Sequence, residues 1–441
     1  MKHCKQSMAL LAALLLAVSL GLPAWAEEEA FIDYAALPLD MRSETVKQEV
    51  TVRNYVDGDT THFIVPESMA PDGVLKARYL ACNTPESTGK IEEWGKKAAS
   101  FTREKLENAD SILVESDNGQ WNLDSTSTRY LVWVWYRPAG ETAYRNLNIE
   151  LLQEGLAIAN SSAQNRYGDT CMAAIAQARA NKLHIYSGEK DPDFFYGDAI
   201  ELTIRELRLH PEAYDGKKVA FNGVITLDHG NSVFLEDFDG ETGLYFGIGA
   251  YYGFNMSGAG LDILTPGNEV RIVGTMQYYE AGHTWQIAGM TYRMMKPKDP
   301  GNIQKLSDGH TPSWKETDPE TFNSTVAIET ENGAEAYPYG YLALGTSVEM
   351  KGLTVRSQGE GEDEGSHWLE CNTGTPGEME IYVPFSPEEA ETWYDRLQGK
   401  TIDVRGIVGF YDHSTDRDIY CVRVYTKDGL TIHESSKEIK K

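Results

Sequence analysis

An eight-residue pattern bounded by glycines occurs four times after residue 215, and it restricts the folds that this part of the chain can adopt. Each copy has glycine, two variable residues, a β-branched residue, a variable residue, an apolar residue, a variable residue and glycine. The copies are "GKKVAFNG" (216–223), "GNEVRIVG" (267–274), "GTSVEMKG" (345–352) and "GKTIDVRG" (399–406). Such alternation is typical of a strand with one face in a core. The first glycine allows a turn into the strand, and the second indicates a bulge or a sharp bend.

The four copies form two similarly spaced pairs, which predicts two related domains that each use the pattern twice. We expect a small OB-like β-barrel over 198–298 and a second one over 315–435, with "MKPKDPGN" (295–302) as the linker. A chain of 441 residues has room for about three domains. The region before residue 198 is therefore expected to hold another.

Residues 1–26 have the three parts of a secretory signal peptide. They begin with basic residues, continue with an apolar run, and end with the small residues Ala24 and Ala26 around Trp25. Cleavage is expected near Ala26, and residues 27–46 are expected to form a linker. No later segment is long and apolar enough to span a bilayer. The sequence therefore predicts a secreted, extracellular protein.

The region 47–190 contains five strand-like segments and a helical segment between the third and fourth of them. Five strands with helical additions are typical of an OB-like barrel, so the expected fold class is mainly β with α (α+β). Two of the strands are joined by a tight turn at 57–59. The segments are "VTVRNYV", "TTHFIV", "VLKARYLAC", the helical "EEWGKKAASFTREKLENA", "SILVESD" and "RYLVWVWY", with helical segments following.

Charged and polar residues in this region have the types that phosphodiester hydrolysis requires. Hydrolysis needs a base that deprotonates water and positive groups that hold the phosphate in line and neutralise its added charge. A carboxylate beside two arginines, with an oxygen-rich cation site, supplies these parts. The segments that provide them are "VDGDT" (56–60), "RYLACNTPES" (78–87), "DSTSTRYLVWVW" (124–135) and "LNIELLQEGLA" (147–157).

These segments, in this order, resemble the staphylococcal nuclease (thermonuclease) family over about residues 50–187. The resemblance implies a phosphodiesterase that acts on DNA, RNA or both. It implies that Glu86 is the general base, and that Arg78 and Arg129 clamp the phosphate through their planar guanidinium groups. The segment before Arg129 is one residue longer than is usual in the family.

The resemblance also implies a Ca²⁺ site. Its ligands would be the Asp59 carboxylate, Asn83 and the main-chain carbonyl of Thr84, with Asp57 behind them. The family's best-known members have an aspartate where this chain has Asn83. Because one negative charge is lost, Ca²⁺ should bind more weakly, or another divalent cation should serve.

The formal net charge of −27 favours a competing interpretation. A protein that holds nucleic acid by charge alone is expected to be basic. The chain could instead be a catalytically degenerate binding protein, and its two C-terminal barrels could bind a cell-surface or cell-wall partner. Against a degenerate domain stands the presence together of Asp59, Arg78, Glu86 and Arg129, which a domain kept only for its shape does not need.

Aromatic residues and cysteines give two further expectations. Exposed aromatics of OB-like barrels often stack on bases, which makes the pairs 251–252 and 278–279 candidate ligand contacts beside the alternative of core packing. The four cysteines after the signal peptide allow one or two disulfides in an oxidising compartment. Cys371 and Cys421 form the first pair to consider, because both lie in strand-like segments of one domain.

Overall fold

The computed structural model describes residues 31–433, except 71, 254–255, 257, 331–332, 361–365, 373–378, 385–396 and 412–418. The segment interpreted as a signal peptide lies outside the described residues. Among the described residues, no helix is both long enough and apolar enough to cross a membrane. Strands are the commonest element of the described chain, and three sheets account for most of them.

The first sheet closes into a five-stranded barrel, which confirms the OB-like fold expected here. β1 pairs with β2 and β5, β2 with β3, and β5 with β7, all antiparallel, while β3 and β7 pair in parallel and complete the circuit. The strands of this region are β1 (Lys47–Asp57), β2 (Thr60–Ile64), β3 (Val74–Tyr79), β4 (Ala81–Asn83), β5 (Ala109–Glu115), β6 (Asn122–Leu123), β7 (Tyr130–Pro138), β8 (Arg145–Asn146) and β9 (Ile158–Asn160). We call β1, β2, β3, β5 and β7 the first barrel.

Three helices pack around the first barrel: α1 (Gly95–Glu107), α2 (Leu147–Gln153) and α3 (Gly168–Ala180). The sequence pattern predicted each of them. Trp133 and Trp135 of β7 are fully buried, and their indole nitrogens donate to the carboxylates of Asp117 and Glu115, at 2.9 and 2.8 Å. Both rings pack against Tyr167, the residue before α3, at centroid distances of 4.9 and 5.7 Å, so they lie between the barrel and this helix while their polar N–H groups remain satisfied.

The second and third sheets contain barrels with the same strand circuit. The second barrel consists of β11 (Lys218–Asp228), β12 (Ser232–Asp239), β13 (Leu244–Tyr251), β14 (Glu269–Tyr279) and β15 (Thr284–Ala288). Strands β10 (Ile200–Glu201) and β16 (Gln304–Ser307) extend its sheet, and the helices α4 (Ile204–Leu209) and α5 (Ala259–Ile263) accompany it. Its third and fifth strands, β13 and β15, pair in parallel, as β3 and β7 do in the first barrel.

Four short elements precede the third barrel in the chain. They are the strand β17 (Lys315–Glu316), the helix α6 (Pro319–Phe322), a hairpin of β18 (Thr325–Thr330) with β19 (Gly333–Pro338), and the helix α7 (Tyr339–Leu342). The third barrel consists of β20 (Ser347–Glu360), β21 (Ser366–Asn372), β22 (Met379–Pro384), β23 (Thr401–Tyr411) and β24 (Ile419–Arg423). Strands β17 and β25 (Leu430–His433) extend its sheet.

The glycine-bounded repeat lies on the strand pairs that close the second and third barrels. Its copies fall on β11 and β14, which pair with each other, and on β20 and β23, which also pair. All four first glycines have positive φ, between +71° and +86°, as a turn into each strand requires. Of the second glycines, Gly352 lies in a register shift of the β20–β23 ladder. Gly274 lies in a regular ladder, where a Cβ would come within 2.4 Å of the Ile287 side chain.

The cysteine pairing considered from the sequence is wrong. Cys371 lies on β21 and Cys421 on β24, and β22 lies between these strands. Cys82 and Cys171 in the first domain are both buried and are not linked by a disulfide. Burial raises the pKa of each of these two thiols, so neither is an activated nucleophile.

Candidate active site

The tight turn between β1 and β2 carries two buried carboxylates. Asp59 is fully buried and Asp57 is 6% exposed. β2 pairs with β3 so that Thr60 lies opposite Arg78, which brings the Arg78 side chain to the turn. Arg78 Nη1 donates to Asp59 Oδ1 in a mostly buried ion pair. The hairpin and the third strand therefore position the first two predicted site residues by strand register.

Asn83 reaches the same guanidinium from the strand that follows. Ala81 has a φ of +68°, and this left-handed residue turns the chain from β3 into β4, at the end of which Asn83 lies. Arg78 Nη2 donates to Asn83 Oδ1. The guanidinium of Arg78 thus bridges the carboxylate of Asp59 and the amide oxygen of Asn83.

Thr84 completes this cluster through its main chain. Its N–H donates to Asp59 Oδ2 at 2.9 Å, and its carbonyl oxygen accepts a long hydrogen bond of 3.4 Å from Asn83 Nδ2. The Thr84 hydroxyl is buried and has no hydrogen-bond partner in the described structure. Burial raises the pKa of Asp59 although the Arg78 charge beside it acts in the opposite direction.

Glu86 meets the buried Asp57 at the next turn. Asp57 Oδ1 accepts hydrogen bonds from Gly58 N at 2.7 Å, from Ser87 Oγ at 2.9 Å and from Ser87 N at 3.2 Å. Burial, a hydrogen bond with the Glu86 side chain and the nearby Asp59 charge raise the pKa of Asp57. Glu86 itself is exposed to solvent. The Glu86 carboxyl group is therefore accessible to water, while the main chain next to it is fixed to the buried turn.

The start of α1 fixes the backbone of Glu86. Glu92 N donates to the Glu86 carbonyl oxygen at 2.9 Å. At Gly95, the first residue of α1, a Cβ would lie 2.1 Å from that same carbonyl oxygen, so only glycine fits there. The helix and the turn that carries Glu86 are consequently in direct backbone contact.

Arg129 forms its ion pair with Asp124, which is not a member of this cluster. Its Nε donates to Asp124 Oδ2 at 2.7 Å, and its side chain is 36% exposed. The parallel register places Tyr130 opposite Ala77, and the next position back would put Arg129 opposite Lys76, on the outward face that Arg78 also uses. The fold thus puts both arginines on one face of the barrel, but the guanidinium of Arg129 is held by Asp124.

Sequence reasoning missed two residues that support the site. Asp124 is the counter-ion of Arg129; it belongs to the same quoted segment, and its spacing of five residues could have suggested the pair. Gln277 of β14 forms hydrogen bonds with both main-chain polar groups of Gly89, in the loop after Glu86. No sequence signal links two residues 188 positions apart.

The comparison with known families agrees with this geometry. The family model described as Staphylococcal nuclease homologue matches residues 76–188. The chain contains an SNase domain. The matched residues include Arg78, Glu86 and Arg129, whereas Asp57 and Asp59 lie in the preceding hairpin, which completes the barrel of the SNase domain.

The donor atoms of the SNase domain suit a hard cation that is held weakly. Asp59, Asn83 and Thr84 offer a carboxylate, an amide oxygen and a carbonyl oxygen, which are the ligand types that Ca²⁺ and Mg²⁺ prefer. The unpartnered hydroxyl of Thr84 adds another oxygen at the same turn. Within the described residues, no group of three or more His, Cys, Asp or Glu side chains is arranged to hold a metal ion. With one carboxylate, and with Arg78 bonded to two of these oxygens, the residues fit a cation that keeps several waters.

Proposed function

We propose that this chain is a secreted nuclease that hydrolyses phosphodiester bonds of DNA, RNA or both. The SNase domain supports a nuclease-like function in general. The proposal rests mainly on the Arg78 guanidinium, which is fixed by hydrogen bonds to Asp59 and Asn83. The same cluster contains the solvent-exposed residue Glu86. Secretion rests on the signal-peptide pattern of residues 1–26.

In this proposal Glu86 accepts a proton from the attacking water. Its carboxyl group is exposed, and Asp57 holds Ser87, the next residue, through two hydrogen bonds. A base that is fixed at its main chain and open to solvent can meet a water beside a bound phosphate. The buried Asp57 carboxyl group, with its raised pKa, orients Glu86 through their mutual hydrogen bond.

Arg78 and Arg129 bind the phosphate and neutralise the charge that it gains. Arg78 is mostly buried and immobilised by two acceptors, so little side-chain entropy is lost when it meets a phosphate oxygen. Arg129 is more exposed and exchanges its contact with Asp124 for one with the substrate. The two guanidinium groups grip the phosphate locally, which reconciles a nucleic-acid substrate with the acidic chain.

A divalent cation, Ca²⁺ or another hard ion, is part of the proposal. Asp59, Asn83 and the Thr84 carbonyl would hold it. A bound cation orients the phosphate and withdraws negative charge from it. Asp59 also keeps Arg78 in place, so it would serve the cation and the guanidinium together.

The alternative is a catalytically degenerate domain that binds without cleaving. It is favoured by one observation: each of the two arginines is already paired with a carboxylate, Arg78 with Asp59 and Arg129 with Asp124. In that case the barrels and the SNase domain would serve as interaction surfaces for a cell-surface or wall partner.

An assay of the mature chain with single-stranded DNA, duplex DNA and RNA distinguishes these two functions. Reactions with Ca²⁺, with Mg²⁺ and with chelator are compared, beside the variant Arg78→Ala. Cation-dependent cleavage that is lost in Arg78→Ala supports the nuclease. Binding of a polynucleotide without cleavage under any of the cation conditions supports the alternative.

A further inference from the structure

The second and third barrels meet along a cleft that the SNase domain does not contribute to. The cleft has a volume of about 190 Å³. Residues of both barrels and of α4 line it. They include Arg208, Tyr279, Trp285, Phe410, Arg423 and Tyr425. We call it the inter-barrel cleft. None of its described lining residues is an aspartate or a glutamate, although the chain as a whole is strongly acidic.

Arg208 of α4 is a buried cation without a carboxylate partner among the described residues. It is 3% exposed, and its Nη2 donates to two main-chain carbonyls, Gly247 O at 2.6 Å and Leu344 O at 3.1 Å. Its Nε is buried and has no hydrogen-bond partner. Burial lowers the pKa of Arg208 to about 10. A buried guanidinium that lacks a counter-ion is costly, and an anion bound beside it would offset that cost.

Aromatic side chains line the same cleft as Arg208. Tyr279 and Trp285 come from the second barrel, and Phe410 and Tyr425 come from the third barrel and the segment after it. Tyr279 is 48% exposed. Flat rings beside a guanidinium suit a ligand that has both a planar ring and a negative charge. Arg423, which also lines the cleft, adds a second positive side chain.

The two barrels are in close contact beside the cleft. At Gly247 a Cβ would lie 2.4 Å from the main chain of Gly345, so the two barrels touch backbone to backbone. Beside this contact, the buried Glu236 of the second barrel accepts hydrogen bonds from Ser347 N and Ser347 Oγ of the third, at 2.8 and 2.9 Å. The cleft is therefore preorganised, which lowers the entropy cost of binding.

We propose that the inter-barrel cleft binds a nucleoside monophosphate unit, with Arg208 supplying the charge for the phosphate and the aromatic side chains contacting the base. The cleft is smaller than the roughly 300–1,000 Å³ of sites that enclose a drug-sized ligand, so it encloses only part of a nucleoside monophosphate and has no room for a longer strand. The unit is either a free nucleotide or the phosphorylated end of a single strand. The site itself does not depend on catalysis; only the source of its ligand rests on the proposed function.

The test measures binding by calorimetry to the full mature chain carrying Glu86→Gln, so that no ligand is hydrolysed. The ligands are a nucleoside monophosphate, the same nucleoside, inorganic phosphate, a uronic acid, and single-stranded oligonucleotides with a terminal phosphate or a terminal hydroxyl. The variants are Arg208→Met, Trp285→Ala and Arg423→Gln. Arg271→Gln is the matched control, because Arg271 lies on the same barrel but pairs with Glu201 at the surface.

We expect the nucleoside monophosphate to bind at least about tenfold more tightly than the nucleoside or phosphate alone, and Arg208→Met to weaken it about tenfold or more. Arg271→Gln should have no effect. If Arg208→Met does not fold, Trp285→Ala and Arg423→Gln must both weaken binding. Nucleotide binding that none of the three cleft variants weakens, equal affinity for the uronic acid, or no binding of the nucleotide overturns the proposal.

The two possible sources are separated by the same titrations. Tight binding of the oligonucleotide with a terminal phosphate assigns the site to a strand end. Binding of the free nucleotide alone assigns the site to a free nucleotide. Either result supports the proposed site. Nucleotide binding by a wild-type chain that cleaves no polynucleotide would contradict the proposed function and leave the cleft assignment standing.

Discussion

Gln277 of the second barrel holds Gly89 of the SNase domain by two hydrogen bonds: Gly89 N donates to Gln277 Oε1 at 3.0 Å, and Gln277 Nε2 donates to Gly89 O at 2.6 Å. Gly89 lies three residues after Glu86. Gln277 is 6% exposed, so the pair is shielded from water. The ion pair of Arg103 with Glu280 joins the same two domains, with contacts of 3.1 and 2.5 Å. The second barrel therefore supports the loop that carries the proposed general base.

Replacing Gln277 with alanine should lower kcat about three- to tenfold and leave KM nearly unchanged, because the loop beside Glu86 loses its support while the phosphate contacts remain. Steady-state hydrolysis of single-stranded DNA measures both constants. Gln304→Ala is the control, since Gln304 lies on β16 of the same sheet and its side chain donates to the Asp299 carbonyl oxygen. An unchanged kcat in Gln277→Ala would show that the second barrel does not position the base.

Replacing Asn83 with aspartate should lower the Ca²⁺ concentration for half-maximal activity about tenfold, because a second carboxylate joins Asp59 at the cation. Activity is titrated with Ca²⁺ for the variant and the wild type. Asn118→Asp adds the same charge on an exposed loop and should leave the requirement as it is. If both variants shift equally, the effect is one of overall charge and Asn83 is not a ligand.

Replacing Arg129 with lysine should reduce kcat/KM about a hundredfold, nearly as much as Arg129→Ala, because an ammonium group lacks the planar fork that binds two phosphate oxygens. Arg145→Lys serves as the control; Arg145 lies in the same domain as Arg129 and pairs with Asp33. Full activity in Arg129→Lys would show that this position does not bind two phosphate oxygens at once.

Replacing Glu236 with alanine should destabilise the chain by about 2–4 kcal/mol, because the N–H groups of Ser347 and Ser313 lose a buried acceptor. Urea unfolding followed by fluorescence measures the change. Glu241→Ala, which removes an 82% exposed carboxylate from a surface ion pair with Arg205, should cost less than about 1 kcal/mol. Similar losses in the two variants would show that the barrel junction adds little stability.

Local sequence patterns were sufficient for much of the fold and of the candidate site. The turn at 57–59, the strand that carries Arg78 and the helix that begins at Gly95 all follow from residues that are neighbours in the chain. The repeat predicted two related barrels, and it lies on the pairs of strands that close them. Turn chemistry and alternation are short-range properties, so one sequence can display them.

Contacts between distant segments could not be predicted in this way. The order of β21, β22 and β24 separates Cys371 from Cys421, and strand order depends on how the barrel closes rather than on either strand. The Gln277–Gly89 contact and the buried Arg208 arise where whole barrels dock. Arg129 shows a third limit: its type and position suit a phosphate clamp, yet its side chain pairs with Asp124 in the structure.

Glu86 is the proposed base of a cation-dependent nuclease, and the rate of DNA hydrolysis by Glu86→Gln measures this role. Initial rates on single-stranded DNA with saturating Ca²⁺ are compared for the wild type, Glu86→Gln and Glu67→Gln, whose exposed carboxylate lies outside the site. A loss of about a hundredfold or more is expected in Glu86→Gln alone. Equal rates in all three proteins, or a wild type that is inactive with each divalent cation, would show that Glu86 does not have this role.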